Sequence, residues 1–346
     1  MKKFLIMALF LTLFLTGCVG LPVIYECNCP KEEEKPNPNP NPNPGENVGD
    51  IKTGMAIVTN IAKSETGKAE YDVTLVAVTV NAQGVITSCK IDSVGTTVKF
   101  ENGTISTALN SEIKSKQELG DAYNMVAYGG AKAEWYEQVN ALAAYCVGKT
   151  AEQVQGIAVD GGTKPTNADL ATSVTIAIGG YKNAIVKAVN NATNLGAQAG
   201  DTLHIAVNSS IASSANPTAD KNGTAQLDLD FTAVTEKNGI ITSCIIDSVQ
   251  AKVSFDSTGA IKTDLTKEVK TKNELGSDYN MVTYGGAIAE WNEQAASFCQ
   301  YIKGKTAEQV QGIAVDEGTK PTDTDLNTSV TIAIGGFKAL ITEALA

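Results

Sequence analysis

The chain repeats itself along most of its length, and this repeat limits its possible folds more than any other feature. The segment GVITSCKIDSV at residues 84–94 returns as GIITSCIIDSV at residues 239–249. The segment GKTAEQVQGIAVD at residues 148–160 returns unchanged at residues 304–316. Because each repeat unit is long enough to enclose a core, the sequence predicts two copies of one globular domain rather than a solenoid of short units.

The N-terminus has the order of an export signal. Lys2 and Lys3 precede an apolar run at residues 4–15, and the sequence Leu-Thr-Gly-Cys ends at Cys18. Basic, apolar and small residues in this order are typical of a signal peptide, and the apolar run is short for a transmembrane helix. The ending resembles that of bacterial lipoproteins. This resemblance implies cleavage before Cys18, a lipid on its sulfur, and a location on the outer face of the cytoplasmic membrane.

An extended tether is predicted after Cys18. Prolines alternate with asparagines at residues 36–44, and proline fixes φ and lacks a backbone donor, so this run is expected to stay extended. The predicted division of the chain is a signal peptide at 1–17, the lipidated cysteine and tether at 18–48, a first domain at 49–194, a linker at 195–199 and a second domain at 200–346.

In each copy, β-rich segments come first. In the first copy these are AEYDVTLVAVTV (residues 69–80), the repeated segment at 84–94 and TTVKFENGTI (residues 96–105). Their alternating pattern and the Asn and Gly turns between them predict antiparallel hairpins.

Helical patterns follow the strands. AKAEWYEQVNALAAYCVG at residues 131–148 has apolar residues at helical spacing, and Gly148 is a candidate for its C-terminal cap. Thr150 with Gln153 forms a capping box that predicts a further helix. The segment TSVTIAIGGYKNAIVKAV at residues 172–189 predicts the last one. The expected fold class is therefore α+β, with an antiparallel sheet plus helices in each copy.

Each domain has one cysteine on a predicted strand and one on the long helix. Cys89 and Cys146 lie in the first copy, and Cys244 and Cys299 in the second. An exported protein can keep disulfides, so each pair is a possible disulfide. Four small buried apolar side chains are the alternative.

Composition excludes several classes of function. The formal net charge of −11 argues against a nucleic-acid partner, whose phosphates need lysine and arginine. His204 is the single histidine, so a duplicated site cannot depend on histidine catalysis, and neither domain has the clustered ligands that zinc prefers. We assign no catalytic residue and no metal site.

A heptapeptide, DLATSVT at residues 169–175, returns as DLNTSVT at residues 325–331. One interpretation is a helix start, with Thr172 or Ser173 as the N-cap. The pattern also resembles the acceptor motif of covalent FMN-binding domains, Asp-x-x-Ser/Thr-Gly-Ala-Ser/Thr. In that family a flavin transferase uses FAD and magnesium to join FMN to the last Thr through a phosphodiester.

Carried over by position, the resemblance implies two FMN per chain, attached to Thr175 and Thr331. Serine and valine stand here where the family has glycine and alanine. The other polar motif positions are Asp169, Thr172, Ser173, Asp325, Thr328 and Ser329. A threonine hydroxyl must be reachable by an external base and metal, and the attached phosphate is expected near a helix N-terminus.

A flavin also needs a surface for its flat ring. Met125 and Tyr128 lie in the segment YNMVAYGGAKAEW and are matched by Met281 and Tyr284 in the second copy. Methionine and aromatic side chains suit a polarizable ring. These four residues are the expected ring contacts, whereas Trp135 at helical spacing is more typical of a core residue.

The whole chain is similar to the pheromone-type lipoproteins of Gram-positive bacteria, some of which are flavinylated electron carriers. The resemblance implies a membrane-held carrier that passes electrons from a membrane dehydrogenase or quinone pool to an extracellular acceptor such as ferric iron. Two alternatives stay open. One is release of a pheromone from FLTLFLTG at residues 10–17. The other is a cofactor-free binding or adhesion module.

Overall fold

The computed structural model describes residues 51–346, which belong to one compact unit. The expected signal peptide, the octapeptide at residues 10–17, Cys18 and the tether lie outside the described residues. Within residues 51–346, no helix combines the length and apolar character that crossing a membrane requires.

Each copy opens with an antiparallel sheet whose strands follow one another in chain order. The structure thus combines antiparallel sheets with helices, as the predicted α+β class requires. The strands of the two sheets are β1 (Lys52–Asn60), β2 (Lys68–Val80), β3 (Ile86–Glu101) and β4 (Thr104–Ile105), then β5 (Thr202–Ser210), β6 (Gly223–Lys237) and β7 (Ile240–Phe255).

The segments at 84–94 and 96–105, expected as separate strands, are largely one long strand, β3. Gly95 pairs with Asp72 in the ladder, so the pairing continues through the position where a turn was predicted. The turn lies further on, at Asn102 and Gly103, which have φ of 47° and 72°. Two consecutive left-handed residues form the tight hairpin turn for which Asn-Gly is best suited.

Helices follow the strands in both copies. They are α1 (Lys116–Leu119), α2 (Trp135–Cys146), α3 (Ala151–Gln155), α4 (Ala168–Ala171) and α5 (Gly179–Asn190), then α6 (Lys272–Leu275), α7 (Met281–Gly285), α8 (Trp291–Ile302), α9 (Ala307–Gln311) and α10 (Gly335–Ala344). The capping box of α3 is confirmed: the Gln153 N–H donates to Thr150 Oγ1 and the Thr150 N–H to Gln153 Oε1. Gly148 lies just past the end of α2 with φ of 83°.

The last predicted helix of the first copy was placed too early. It was expected over residues 172–189, but α5 begins at Gly179 and its N-cap is Ile178, so neither Thr172 nor Ser173 caps it. The residues before it form a loop that bonds to α2, because the Thr175 N–H donates to Gln138 Oε1. Val174 and Ile178 are buried, and tertiary packing here overrides the helical pattern.

The helices cover one face of each sheet. In the first copy, Val76 and Val78 of β2 pack against Leu142 of α2 and Ile185 of α5. The second copy has an equivalent cluster that includes Val234 and Phe298. Each copy thus has a core of its own between sheet and helices.

The opposite faces of the two sheets pack on each other and form a core that both copies share. Phe100 from the first copy stacks on Phe255 from the second, with ring centroids 3.9 Å apart and an interplanar angle of 8°. At one edge of this interface the Thr53 and Ser243 hydroxyls hydrogen-bond at 2.7 Å. The described chain is therefore a four-layer structure, with helices outside and two sheets inside.

Candidate functional site

The repeated heptapeptide begins at the end of a short helix in the first copy. Asp169 lies in α4 with an exposed side chain. Thr172 and Ser173 follow, and their hydroxyls donate back to the carbonyl oxygens of Asp169 (3.2 Å) and Leu170 (3.3 Å). These two hydroxyls are therefore used within the heptapeptide itself.

The second copy repeats these contacts. Thr328 donates to the Asp325 carbonyl at 3.0 Å, and Ser329 donates to the Leu326 carbonyl at 3.3 Å. The side chain of Asp325 is exposed, like its counterpart. The heptapeptide thus has the same local structure twice, although the residues before Thr328 form a turn rather than an α-helix.

The last threonine of the heptapeptide bonds to a different element. The Thr175 N–H donates to Gln138 Oε1 at 2.8 Å, and its hydroxyl donates to the same oxygen at 3.1 Å. Gln138 lies on α2, is 1% exposed, and donates through Nε2 to the Ala133 carbonyl at 2.9 Å. Because an unsatisfied buried amide is costly, these bonds fix the Gln138 side chain and hold Thr175 beside the start of α2.

Thr331 has the same support. Its N–H and hydroxyl donate to Gln294 Oε1 at 2.8 and 3.3 Å, and the Ile332 N–H adds a third bond at 3.2 Å. Gln294 is fully buried and donates to the Ala289 carbonyl at 2.8 Å. Both threonines are partly exposed, so in each copy a hydroxyl near the surface is anchored from below by a buried amide.

The segment predicted to contact the ring lies next to this amide in sequence and space. The Glu134 carboxylate, buried at the N-terminus of α2, accepts the backbone N–H groups of Met125 (2.8 Å) and Val126 (2.9 Å). Met125 packs at the edge of the helix-side core. Tyr128, by contrast, is 87% exposed.

In the second copy, Glu290 accepts the corresponding N–H groups of Met281 and Val282. Met281 also packs at the edge of its core, and Tyr284 is 85% exposed. In each copy the methionine and the anchored threonine therefore bond to residues at the N-terminal end of the same helix. It directs the two tyrosines into solvent.

A cluster of lysine and aromatic side chains lies at the same end of α2. The Lys116 ammonium is 5.3 Å from the ring centroids of both Tyr123 and Trp135, and the Trp135 indole N–H donates to the Tyr181 hydroxyl at 3.0 Å. Trp135 and Gln138 are three residues apart on one helix face, so this cluster is close to the threonine anchor.

The second copy repeats the cluster with different details. The Lys272 ammonium is 5.2 Å from the Tyr279 centroid and 4.7 Å from the Trp291 centroid. Phe337 replaces the tyrosine and meets Trp291 edge-on at 5.7 Å. We call Lys116, Tyr123, Trp135 and Tyr181, and their counterparts Lys272, Tyr279, Trp291 and Phe337, the lysine–aromatic clusters.

Several buried groups near the clusters have shifted pKa values. Burial raises the pKa of Asp92 and of Asp247 to about 6 in each case, although backbone N–H bonds oppose the shift. Burial lowers the pKa of Lys272 and raises that of Asp230, and the attraction between these two groups opposes both shifts.

The cysteine pairs differ between the copies. Cys244 and Cys299 are both buried thiols with their sulfurs 2.9 Å apart. Cys146 lies close enough to Cys89 to raise the pKa of its thiol, although burial is the larger cause. The structure records all four as free thiols, so the predicted disulfides stay predictions.

A shallow groove of about 550 Å³ lies elsewhere, beside the end of β2 and the start of α3. Asn81, Gln83 and Glu152 are among its lining residues, whereas Thr175 and its partner Gln138 are not. The groove is therefore separate from the anchored threonine.

Sequence reasoning missed the residues that build the site around the threonines. Gln138 and Gln294 fall at buried positions of an amphipathic helix, between Trp135 and Val139 in the first copy. A polar residue repeated at such a position was the available signal. Lys116 was missed because its partners are brought to it only by the fold.

The chain matches no protein-family model, no curated protein and no solved structure. The function of this site therefore rests on its own geometry and chemistry.

Proposed function

We propose that this protein is an extracytoplasmic electron carrier with FMN covalently attached to Thr175 and Thr331. In this proposal a lipid on Cys18 holds the chain on the outer face of the cytoplasmic membrane. A membrane dehydrogenase or the quinone pool supplies electrons, and an extracellular acceptor such as ferric iron receives them.

One observation carries the proposal: the last threonine of the heptapeptide is anchored in the same way in both copies. The buried amide of Gln138 holds the backbone and hydroxyl of Thr175, and Gln294 does the same for Thr331. The other heptapeptide hydroxyls bond only within the heptapeptide. A repeated, partly exposed and oriented hydroxyl is what a modifying enzyme needs.

The modification is a phosphoryl transfer from FAD. The Thr175 oxygen forms a bond to the FMN phosphorus, the pyrophosphate P–O bond breaks, AMP leaves, and the hydroxyl proton passes to a base. An amide carbonyl is not a base at neutral pH, so Gln138 orients the hydroxyl while the transferase supplies the base and metal. The Thr175 N–H remains bonded to Gln138 after the hydroxyl proton is lost.

The two departures from the family motif are compatible with this role. Ser173 stands where the family has glycine, but its φ is not positive, so glycine is not required there. Val174 stands where the family has alanine, and its side chain is buried in the helix-side core, away from the surface. Neither change blocks access to Thr175.

The protein residues have three tasks toward a bound flavin. The glutamines hold the attachment points, Met125 and Met281 offer polarizable surface beside them, and the lysine–aromatic clusters place a positive charge near the site. The flavin itself supplies reversible two-electron chemistry. A quinol that gives up two electrons and two protons is balanced by two ferric ions that each accept one electron.

The proposal is tested by co-expressing the full-length chain with a bacterial flavin transferase and measuring flavin fluorescence that survives denaturing electrophoresis. T175V and T331V are each expected to halve the signal, and the double variant to abolish it. T166V, which removes an exposed threonine hydroxyl ahead of the heptapeptide, is the matched control and keeps the full signal. Signal that persists in the double variant overturns the assignment of these two threonines.

If the chain without substitutions gives no flavin fluorescence under conditions that flavinylate a positive control, the carrier proposal is overturned. A cofactor-free binding or adhesion module is then the better reading. The pheromone alternative concerns residues 10–17, outside the described residues, and is compatible with either outcome.

A further inference from the structure

The two lysine–aromatic clusters are not equivalent, because the strands beneath them differ. In the first copy, Thr74 of β2 pairs with Ser93 of β3. In the second copy, Asp230 of β6 pairs with Ser248 of β7 at the same point of the ladder. Both pairs lie on the helix-covered side of their sheet, next to Val76 in the first copy.

In the second copy the added carboxylate is engaged with its surroundings. The Ser248 hydroxyl lies beside Asp230 and lowers its pKa, although burial raises that pKa more strongly. The Lys272 ammonium attracts the same carboxylate. One carboxylate oxygen is 4.0 Å from where a side chain at Gly336 would begin, so Asp230 faces the first turn of α10.

The first copy lacks this carboxylate. Thr74 is neutral, and the Ser93 hydroxyl is fully buried and is among the atoms that, within residues 51–346, have no hydrogen-bond partner. At Gly180, no neighbouring side chain lies within 4 Å of the position that a Cβ atom would occupy. At the equivalent Gly336, an oxygen of Asp230 lies 4.0 Å from that position. The first cluster therefore has one negative charge fewer than the second, and the Ser93 hydroxyl beneath it has no hydrogen-bond partner within residues 51–346.

The other charged groups at the two clusters occur in equivalent pairs, so they contribute similarly to the charge of both clusters and do not distinguish them. They are Asp72 and Asp228, Asp92 and Asp247, and Lys116 and Lys272. Lys252 is an extra positive charge in the second copy, but it is exposed, so solvent and salt screen it.

The carboxylate is close to the second proposed attachment point. Thr331 precedes Gly336 by five residues, which span at most about 17 Å when fully extended. Trp291, the centre of the second cluster, is three residues from Gln294, which holds Thr331. Asp230 therefore faces the end of the short segment, residues 331–336, that begins at the proposed attachment point.

We infer that Asp230 makes the flavin on Thr331 harder to reduce than the flavin on Thr175. This inference rests on the proposed function. Reduction adds negative charge to the flavin, and the additional carboxylate of the second copy disfavours that charge. In a molecule holding one electron pair, the pair therefore resides mainly on the flavin of Thr175.

At a separation of about 10 Å and an effective dielectric constant of about 20, one unit of negative charge changes the equilibrium constant for reduction of a flavin by roughly tenfold. Tenfold in the equilibrium constant for a two-electron couple is about 30 mV. The flavin on Thr331 is therefore expected to have the lower potential by about this amount.

The experiment is a spectroelectrochemical titration of flavinylated full-length protein, with T331V and T175V used to observe each flavin alone. We expect D230T to raise the reduction potential of the Thr331 flavin by about 30 mV, which corresponds to a tenfold change in the equilibrium constant. We expect T74D to lower the reduction potential of the Thr175 flavin. The control, D220T, removes a charge in the exposed turn ahead of β6 and is expected to shift neither.

The outcomes separate the two proposals. If no flavin is attached, the proposed function fails, and this inference fails with it. If both flavins are attached but D230T leaves the Thr331 potential unchanged, or that flavin already has the higher potential, only the inference is overturned. A shift of equal size with D220T also overturns it, because the effect is then one of net charge and not of the cluster.

Discussion

Replacing Gln138 by alanine tests the geometry of the threonine anchor most sharply. The variant loses three hydrogen bonds: two that Thr175 donates to Oε1 and one from Nε2 to the Ala133 carbonyl. Each such bond contributes about 0.5–1.5 kcal/mol net, and a group left buried without a partner costs more. We expect the free energy of unfolding to fall by about 2–4 kcal/mol.

Urea unfolding followed by tryptophan fluorescence measures this loss. Q155A removes an exposed glutamine from α3 in the same copy and is expected to change stability by less than about 0.5 kcal/mol. Q294A breaks four hydrogen bonds, because Ile332 also donates to Gln294. Its loss is therefore expected to exceed that of Q138A by about 1 kcal/mol.

The same variant reports on modification, because each molecule has an internal reference. In Q138A, flavin occupancy of Thr175 is expected to fall relative to Thr331, as measured by peptide mapping of one sample. If the unfolding free energy of Q138A lies within about 0.5 kcal/mol of that of the chain without substitutions, the anchor geometry is refuted. A clear stability loss with an unchanged occupancy ratio refutes the positioning role alone.

Removing the ring of Phe100, which stacks on Phe255 between the sheets, is expected to lower the free energy of unfolding by about 3–5 kcal/mol; a much smaller loss in urea unfolding contradicts a shared core. Burial raises the pKa of Asp92 from 3.8 to about 6, so stability from this group is present below about pH 4 and is lost as the pH rises through about 6. D92N is expected to flatten unfolding free energy over this interval, and an unaltered slope contradicts the assignment. A thiol oxidant is expected to join Cys244 and Cys299 with loss of two hydrogen atoms, detectable by mass spectrometry and absent in C299S; failure to cross-link contradicts their contact.

Local sequence patterns predicted the elements whose structure depends on local contacts. The capping box at Thr150 and Gln153 is satisfied within four residues, and the helix from Trp135 follows its apolar spacing. The hairpin pattern is also confirmed, although β3 runs through the position where a turn was expected. Gly95 is compatible with a strand when both neighbouring residues pair.

The start of α5 was mispredicted because a tertiary contact decides it. The segment from Thr172 has an apolar pattern that a helix can use, but the Thr175 N–H bonds to Gln138 on another helix. A partner thirty-seven residues away leaves no local trace in the sequence. The loop that results keeps the threonine near the surface.

The core shared by the sheets had a signal that was overlooked. Strand β2 is almost continuously apolar from Val73 to Val80, and side chains on both faces of the strand are buried. A strand with one solvated face alternates, whereas a continuous apolar run indicates burial on both faces. The run therefore indicated a second layer, although not that the other copy provides it.

The most direct test of the account is the intact mass of the full-length chain after co-expression with a flavin transferase, followed by peptide mapping. We predict two added FMN units, each less one water, with one on the peptide containing Thr175 and one on the peptide containing Thr331. An unmodified mass, when a positive control is flavinylated in the same cells, contradicts the account. Flavin attached only to other residues contradicts it equally.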